Sequence, residues 1–180
     1  MDPNKLIEVY KEASKYFYNN KDNSDQKSKH WEMYNLRDFT LDNLINFRNH
    51  RRLSRGLDDD SDSTFKIYSE IIRKVPEPYV LKNLPKKNIG NLNDSKPYKD
   101  VFLDYHKLIQ IYWFWIIENK ILKNFKIDTI CDIGGGFGSF ADLFINNYNT
   151  KTFLIDLPEA NLMSTYYLKE LYPKKKILFI

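Results

Sequence analysis

The chain has 180 residues, 42% of them hydrophobic, which is enough to bury the core of one domain or of one domain with an appendage. Its formal net charge of +4 is modest, and no stripe of Lys and Arg interleaved with aromatic residues points to a nucleic-acid partner. A single cysteine, Cys131, excludes an intrachain disulfide. Because no apolar run is long enough to span a membrane and no signal-peptide pattern follows Met1, we expect a cytoplasmic protein without a membrane span.

Residues 1–97 are predicted to form a mainly helical N-terminal region that ends in a linker. We expect Pro76 and Pro78 to end the last of its helices, because proline removes a backbone donor. Residues 81–97 are rich in Pro, Asn, Lys and Gly and are interpreted as the linker. Apolar residues at helical spacing predict helices over 4–19, over a segment that begins at the N-cap residue Thr40, and over 64–74.

Residues 98–120 carry the most strongly periodic helical pattern of the chain. Since this pattern is apolar on more than one side, we expect the helix to lie buried between the helical region and a sheet. The residues that recur at three- and four-residue steps are Phe102, Tyr105, Ile109, Tyr112, Trp113 and Ile116.

After this helix, short apolar runs alternate with helical patterns. Cys131 is predicted to be a small core residue of the first apolar run. The alternation predicts an α/β fold in which residues 98–180 form the first half, with three strands, of a Rossmann-like doubly wound parallel sheet. Because the other half does not follow, we expect an N-terminal fragment or a truncated gene, whose open sheet edge favours self-association. The predicted elements are a buried strand over 127–133, a helix over 138–148, a strand over 152–155, a helix over 159–171 and a strand over 176–180.

A glycine-rich turn links the first predicted strand to the helix after it. Backbone without Cβ atoms bends sharply and lets a ligand approach closely. The next strand ends at an acid, Asp156, which is placed to accept hydrogen bonds from ribose hydroxyls. The turn comprises Asp132, Gly134, Gly135, Gly136, Phe137 and Gly138, and it holds four of the six glycines of the chain.

The spacing of this turn differs from the dinucleotide-binding fingerprint, because Ser139 stands where the third glycine is required. Asp132, two residues before the first glycine, would also repel a pyrophosphate. An acid there suits a ligand with a cationic amino end and no phosphate, and S-adenosylmethionine has both properties. A nicotinamide or other nucleotide, and a turn that only packs a helix on a strand, are the alternatives.

The glycine turn, the Asp156-Leu157-Pro158 run and the long helix before the first strand resemble the class I S-adenosylmethionine-dependent methyltransferases. The arrangement is most similar to a sugar O-methyltransferase family found among polysaccharide-biosynthesis enzymes. The resemblance covers residues 98–180 well and the N-terminal part loosely, and its motifs are specific for the cofactor but not for the acceptor. It implies that the glycine turn lines the methionine end of S-adenosylmethionine, that Asp156 holds the ribose, that Leu157 lies against the adenine, and that a sugar hydroxyl on a small-molecule or glycan acceptor is methylated.

His106 lies closest in sequence to the cofactor half, and it is a candidate general base or acceptor contact, weighed against a packing role on the helix. No histidine, cysteine or acid cluster has the spacing of metal ligands. Besides the methyltransferase, a non-catalytic cofactor-binding remnant and a nicotinamide-linked oxidoreductase are alternative functions. Weaker candidates for acceptor binding are His30, His50, Arg51, Arg52, Arg55, Trp31, Trp113 and Trp115.

Overall fold

A computed structural model describes residues 2–19, 39–49, 61–93, 95–174 and 178–179. Within these ranges the chain is a mixed α/β structure with seven α-helices, a two-stranded antiparallel sheet and a three-stranded parallel sheet. The helices are α1 (Pro3–Asn19), α2 (Leu41–Ile45), α3 (Ser61–Ile72), α4 (Glu77–Asn83), α5 (Tyr105–Lys120), α6 (Ser139–Tyr148) and α7 (Pro158–Leu171). The strands are β1 (Lys96–Tyr98), β2 (Val101–Leu103), β3 (Thr129–Ile133), β4 (Lys151–Ile155) and β5 (Leu178–Phe179).

The parallel sheet has the strand order β3-β4-β5, with α6 and α7 as the two connections. Thr129 pairs with Lys151 and Ile133 with Ile155, so β3 and β4 end at the same level. The predicted alternation of three strands and two helices is therefore confirmed. The glycine turn follows the carboxyl end of β3, and Asp156 follows the carboxyl end of β4. Both therefore lie at the same end of the parallel strands.

The prediction that the first strand is buried is wrong. Along β3 the side chains of Thr129, Cys131 and Ile133 are exposed, and Ile133 keeps 77% of its surface accessible. The prediction that Cys131 is a core residue is wrong for the same reason. Among the described residues β3 pairs only with β4, so its other edge and the adjoining side chains are uncovered.

The predicted helix over 98–120 begins later than its apolar pattern indicates. Residues 96–103 form the β1–β2 hairpin, in which Lys96 pairs with Leu103, and the turn residue Lys99 has a φ of 54°. Helix α5 begins only after Asp104, whose carboxylate accepts a hydrogen bond from the Lys107 backbone N–H at 3.2 Å. An N-cap of this kind fixes a helix start more firmly than the spacing of apolar residues does.

The linker predicted over 81–97 also contains regular structure. Helix α4 covers its first residues, and Pro78 lies in the first turn of that helix. Proline is favoured there because the first backbone N–H groups of a helix have no intrahelical acceptor. Pro76 and Pro78 thus separate α3 from a second helix and do not mark the start of an irregular segment.

Two hydrophobic clusters form the core of the described structure. One joins α1, α2, α6, β4 and α7, with Leu44, Leu154 and Leu168 among its buried residues. The other joins α3, α4, β2 and α5, and α6 adds Leu143 to it. Each cluster combines residues from both sides of position 97, and the boundary between the helical region and the sheet-bearing part stays a prediction. None of the described helices has both the length and the apolarity that a membrane span requires.

Candidate functional site

The glycine turn leaves β3 and enters α6 with an open outer face. Gly134, Gly136 and Gly138 have φ values of 74°, 60° and 80°, in the left-handed region that L side chains rarely adopt. A Cβ atom added at Gly134 or Gly136 would have no other atom within 4 Å. The turn therefore requires glycine for its backbone angles, and it leaves space for a ligand against its backbone.

Asp132 lies directly behind this turn. A Cβ atom at Gly135 would stand 2.3 Å from Asp132 Oδ2, so glycine is required here for the close approach of the carboxylate. Asp132 Oδ2 is buried and has no hydrogen-bond partner in the described structure. Burial, together with the negative charge of Asp156, raises the pKa of the Asp132 carboxyl. A carboxylate in this state is available to a donor or a cation supplied by a ligand.

Asp156 follows β4 and faces the same turn. Its Oδ2 accepts a hydrogen bond from the Gly136 N–H at 2.9 Å, and its Oδ1 accepts one from the Leu157 N–H at 2.7 Å. The structure thus brings the two predicted acids against one turn. Each oxygen of Asp156 keeps a second lone pair, so the carboxylate can accept further hydrogen bonds while it holds the turn.

Phe137, in contrast, points from the turn into the core. Its ring lies 5.3 Å from the ring of Phe47 and 5.1 Å from that of Tyr167, and the Arg48 guanidinium stands 5.1 Å from its centre. Gly90 permits this packing, because a Cβ atom there would lie 2.5 Å from the Arg48 side chain. The segment after α2 therefore packs against Phe137 on the core side of the glycine turn. A direct role of Phe137 in ligand binding stays a prediction.

Two buried ion pairs lie beneath the turn, and sequence analysis identified neither. Arg48 pairs with Asp104, and Lys107, whose side chain is fully buried, pairs with Asp142 at 2.6 Å. The Lys107 ammonium also donates to the Ser139 carbonyl oxygen at 2.6 Å. Lys107 thereby connects α5 to the first turn of α6. The one signal in the sequence was the lysine itself, among the apolar residues of a strongly periodic helix. Its partner, Asp142, lies far along the chain.

Tyr172 completes the lysine pair from the end of α7. Its hydroxyl donates to Asp142 Oδ1 at 2.5 Å, so one carboxylate joins α5, α6 and the residue after α7. Burial and the charge of Asp142 raise the pKa of the Tyr172 hydroxyl, which keeps it protonated as the donor. This network fixes the helix that begins at the glycine turn.

The other candidate residues lie on helix α5 or outside the described residues. His106 is exposed on the first turn of α5, with its ring 5.7 Å from that of Tyr105, and its predicted role is untested. Trp113 is 56% exposed, although the helix that carries it was expected to lie buried, whereas Trp115 packs on Tyr79. No group of three or more potential metal ligands occurs in the described part of the chain. The candidates His30, Trp31, His50, Arg51, Arg52 and Arg55 lie outside the described residues.

Two cavities adjoin the glycine turn, one at each acid. A cavity of about 330 Å³ between β3 and α6 reaches Asp132 and is otherwise lined by apolar side chains such as Phe140 and Phe144. A larger one, of about 650 Å³, lies between α1 and α7 and reaches Asp156. We call it the α1–α7 groove. Its lining residues are Leu6, Val9, Tyr10, Ala13, Tyr16, Phe17, Ile155, Asp156, Pro158, Asn161, Leu162 and Thr165.

Comparisons with protein-family models, with curated proteins and with solved structures gave no match to this chain. The geometry of the turn and of its two acids is therefore the basis for any functional conclusion.

Proposed function

We propose that the chain is a cytoplasmic S-adenosylmethionine-dependent O-methyltransferase, whose parallel sheet is the first half of a Rossmann-like fold. The observation that carries this proposal is the buried Oδ2 of Asp132, which has no hydrogen-bond partner among the described residues and lies directly behind the open glycine turn. A buried carboxylate without a donor favours a ligand that brings a cationic amino group. The same charge, with Asp156 opposite, disfavours the pyrophosphate of a dinucleotide, which supports the methyltransferase over a nicotinamide-linked oxidoreductase.

The turn and the two residues after β4 fit S-adenosylmethionine in four ways. Asp132 would accept hydrogen bonds from the amino group of its methionine part, and the backbone at Gly134 and Gly136 leaves room for the chain that follows. Asp156 has free lone pairs for the ribose hydroxyls, and Leu157 would lie against the adenine. When bound, the cofactor supplies an electrophilic methyl group. The protein's part is to hold and orient its two ends.

The acceptor is proposed to be a sugar hydroxyl of a small molecule or glycan in polysaccharide biosynthesis. This part rests on the resemblance of the turn and of the Asp156-Leu157-Pro158 run to sugar O-methyltransferases. His106 is the proposed acceptor contact, because it is exposed on the first turn of α5 and histidine is the most common general acid or base in enzymes.

Calorimetry with S-adenosylmethionine, S-adenosylhomocysteine and NAD tests the cofactor. We expect heat from the first two and none from NAD. Asp132→Asn should weaken their binding by about 1.5–3 kcal/mol, the range for hydrogen bonds to a charged group. Asp128→Asn is the matched control, since Asp128 is exposed and its carboxylate pairs with Lys126 at the surface. Tight binding of NAD, together with no heat from S-adenosylmethionine or S-adenosylhomocysteine, would contradict the proposal.

A further inference from the structure

The glycine turn needs support from its surroundings to keep a single geometry. Glycine loses more conformational freedom on folding than any other residue, and glycines make up most of this turn. The last of them, Gly138, is also the N-cap of α6, and it has no side chain that could cap the helix. The end of the turn is therefore fixed by whatever fixes the first turn of α6.

Ser139 begins α6 directly after the turn, at the position where a dinucleotide-binding turn requires its third glycine. It is buried, and two side chains of α5 hold it. The Lys107 ammonium donates to its carbonyl oxygen at 2.6 Å, and its hydroxyl donates to Gln110 Oε1 at 2.7 Å. Lys107 and Gln110 are three residues apart, so they lie on the same face of α5. A glycine at position 139 would lack the second of these contacts.

Lys107 holds α6 at a second point as well. Its ammonium pairs with the Asp142 carboxylate at 2.6 Å, so one cation contacts the first residue of α6 and the residue three positions later. The Asp142 N–H in turn donates to the Gly138 carbonyl oxygen at 3.0 Å. The ion pair is thus joined directly to the last glycine of the turn, and a shift of α6 along or around its axis would break these contacts together.

Packing alone does not require a buried ion pair at this place. Charged groups lose their hydration on burial, and apolar side chains of similar volume often give equal or greater stability. A satisfied network of directional hydrogen bonds, by contrast, fixes one relative position of the elements that it joins. The contacts of Lys107 and Gln110 converge on the residue next to the turn, where a precise position matters for ligand binding.

We propose that Lys107 and Gln110 are positioning residues, which hold Ser139 and thereby keep the glycine turn in the geometry that accepts a ligand. Lys107 is fully buried, so it acts through Ser139 and not through contact with the ligand. The proposal rests on the proposed function for the identity of that ligand, S-adenosylmethionine. It adds that the affinity of the site depends on α5, and it gives Ser139 a role as the anchor of the turn.

The main test uses Lys107→Met/Asp142→Leu, which replaces the ion pair with apolar side chains and removes the contact to the Ser139 carbonyl oxygen. Its stability should lie near that of the parent chain, whereas the turn loses its anchor. Hydrogen exchange with mass spectrometry measures the backbone amides of residues 133–141, and calorimetry measures the affinity for S-adenosylhomocysteine. We expect about tenfold faster exchange and about tenfold weaker binding, because the released turn samples other geometries.

The matched control is Ile111→Val. Ile111 is a fully buried aliphatic residue of the same helix, so this substitution loosens the packing of α5 but removes no polar contact. Both the exchange of residues 133–141 and the affinity for S-adenosylhomocysteine should stay within about twofold of the parent values.

The exchange measurement separates this inference from the cofactor proposal, because it requires no ligand. Parent-like exchange of residues 133–141 in Lys107→Met/Asp142→Leu would overturn the inference, whatever the ligand does. Faster exchange with unchanged affinity for S-adenosylhomocysteine would overturn it too, since the site would then not depend on the held geometry. If exchange becomes faster and the parent chain does not bind S-adenosylhomocysteine, the anchoring of the turn stands and the cofactor proposal falls.

Gln110 provides the second test, which also applies if the double variant does not fold. Gln110→Met removes the acceptor of the Ser139 hydroxyl at similar volume, whereas Gln110→Glu keeps an acceptor oxygen there. We expect faster exchange of the turn and weaker binding in Gln110→Met, and values near those of the parent in Gln110→Glu. Equal behaviour of the two variants would overturn the role of Gln110 and, with an unfolded double variant, the whole inference.

Discussion

Asp132 combines two properties that a purely structural residue would not have. Its carboxylate is held against the backbone of Gly135, and its Oδ2 is buried without a hydrogen-bond partner in the part of the chain that the structure describes. The surrounding protein therefore disfavours the ionised form, which is the form that a cationic ligand needs. A group placed in this way lowers the stability of the free protein in exchange for ligand affinity, and the two effects can be separated by one substitution.

We predict that Asp132→Asn raises the free energy of unfolding at pH 7 by about 1 kcal/mol, although it weakens ligand binding. Because burial and Asp156 raise the pKa of Asp132 in the folded state, its favourable contribution is complete below the unfolded pKa and is lost as the pH rises through the folded pKa. The gain should therefore diminish as the pH falls and disappear near pH 3, below the ordinary aspartate pKa of about 3.9. Urea unfolding of both proteins at the two pH values measures this.

Asp128→Asn serves again as the control, since the exposed Asp128 pairs with an exposed lysine and should contribute little at either pH. A parent chain more stable than Asp132→Asn at pH 7 would mean that the ionised carboxylate has a partner in solution, and the basis of the cofactor proposal would be lost.

The residues around the turn show which features are local enough to be predicted. Asp132, Asp156 and the glycines lie where the sequence places them, because each follows directly from a strand end or a turn angle. Cys131 does not, because its exposure depends on which strand lies beside β3. The spacing of residues along one segment predicts which strand end or turn they occupy. Whether a side chain is buried also depends on the elements that pack beside it, and the sequence of the segment does not specify these.

Helix α5 shows the same limit for a complete element. Its existence was predicted, but the face was not: the buried residues are Lys107, Leu108, Ile111 and Phe114, whereas Trp113 is mostly exposed. Because a lysine lies in the middle of the buried face, the hydrophobic pattern of the sequence does not identify that face. The charge is compensated by Asp142, which lies on a different helix. Only the packing of α5 against α6 shows which side of the helix is buried.

We predict that Lys107→Met destabilises the chain by about 3–5 kcal/mol, because it leaves the buried Asp142 carboxylate without its cation. The double variant Lys107→Met/Asp142→Leu should recover most of this loss, since an apolar pair can replace a buried ion pair. Lys120→Met, at the exposed end of the same helix, is the control and should change stability by less than about 0.5 kcal/mol. Chemical unfolding of these chains and of the single variant Asp142→Leu measures the coupling. If the losses of the two single variants add up to the loss of the double variant, the two side chains are not paired in solution.

The segments before residue 98 contribute side chains to the candidate site as well as to the hydrophobic core. Phe47 and Arg48 pack under Phe137, and α1 faces Asp156 across the groove. None of these contacts could be predicted, because they join segments separated by half of the chain or more. The helical pattern of α1 was predicted correctly, but its partner, α7, follows only from the three-dimensional arrangement.

The outer edge of β3 has a consequence for the whole protein. Among the described residues no strand pairs with it, while Ile133 and Cys131 are exposed and the cavity beside α6 is lined by apolar residues. Unpaired backbone groups next to apolar side chains favour pairing with a strand of another chain. Burial of this edge would involve the strand that leads into the glycine turn, so association and ligand binding would be linked.

We predict that the chain self-associates through the outer edge of β3 in a concentration-dependent way. Size-exclusion chromatography with light scattering should show species larger than a monomer at high protein concentration, under reducing conditions that exclude a Cys131 disulfide. Ile133→Lys should shift the distribution toward the monomer, because a charge on an exposed strand opposes pairing. Ile121→Lys, at a residue that is 55% exposed after α5, is the control and should leave the distribution unchanged. A monomer at every concentration, or equal effects of the two lysines, would rule out β3 as the contact.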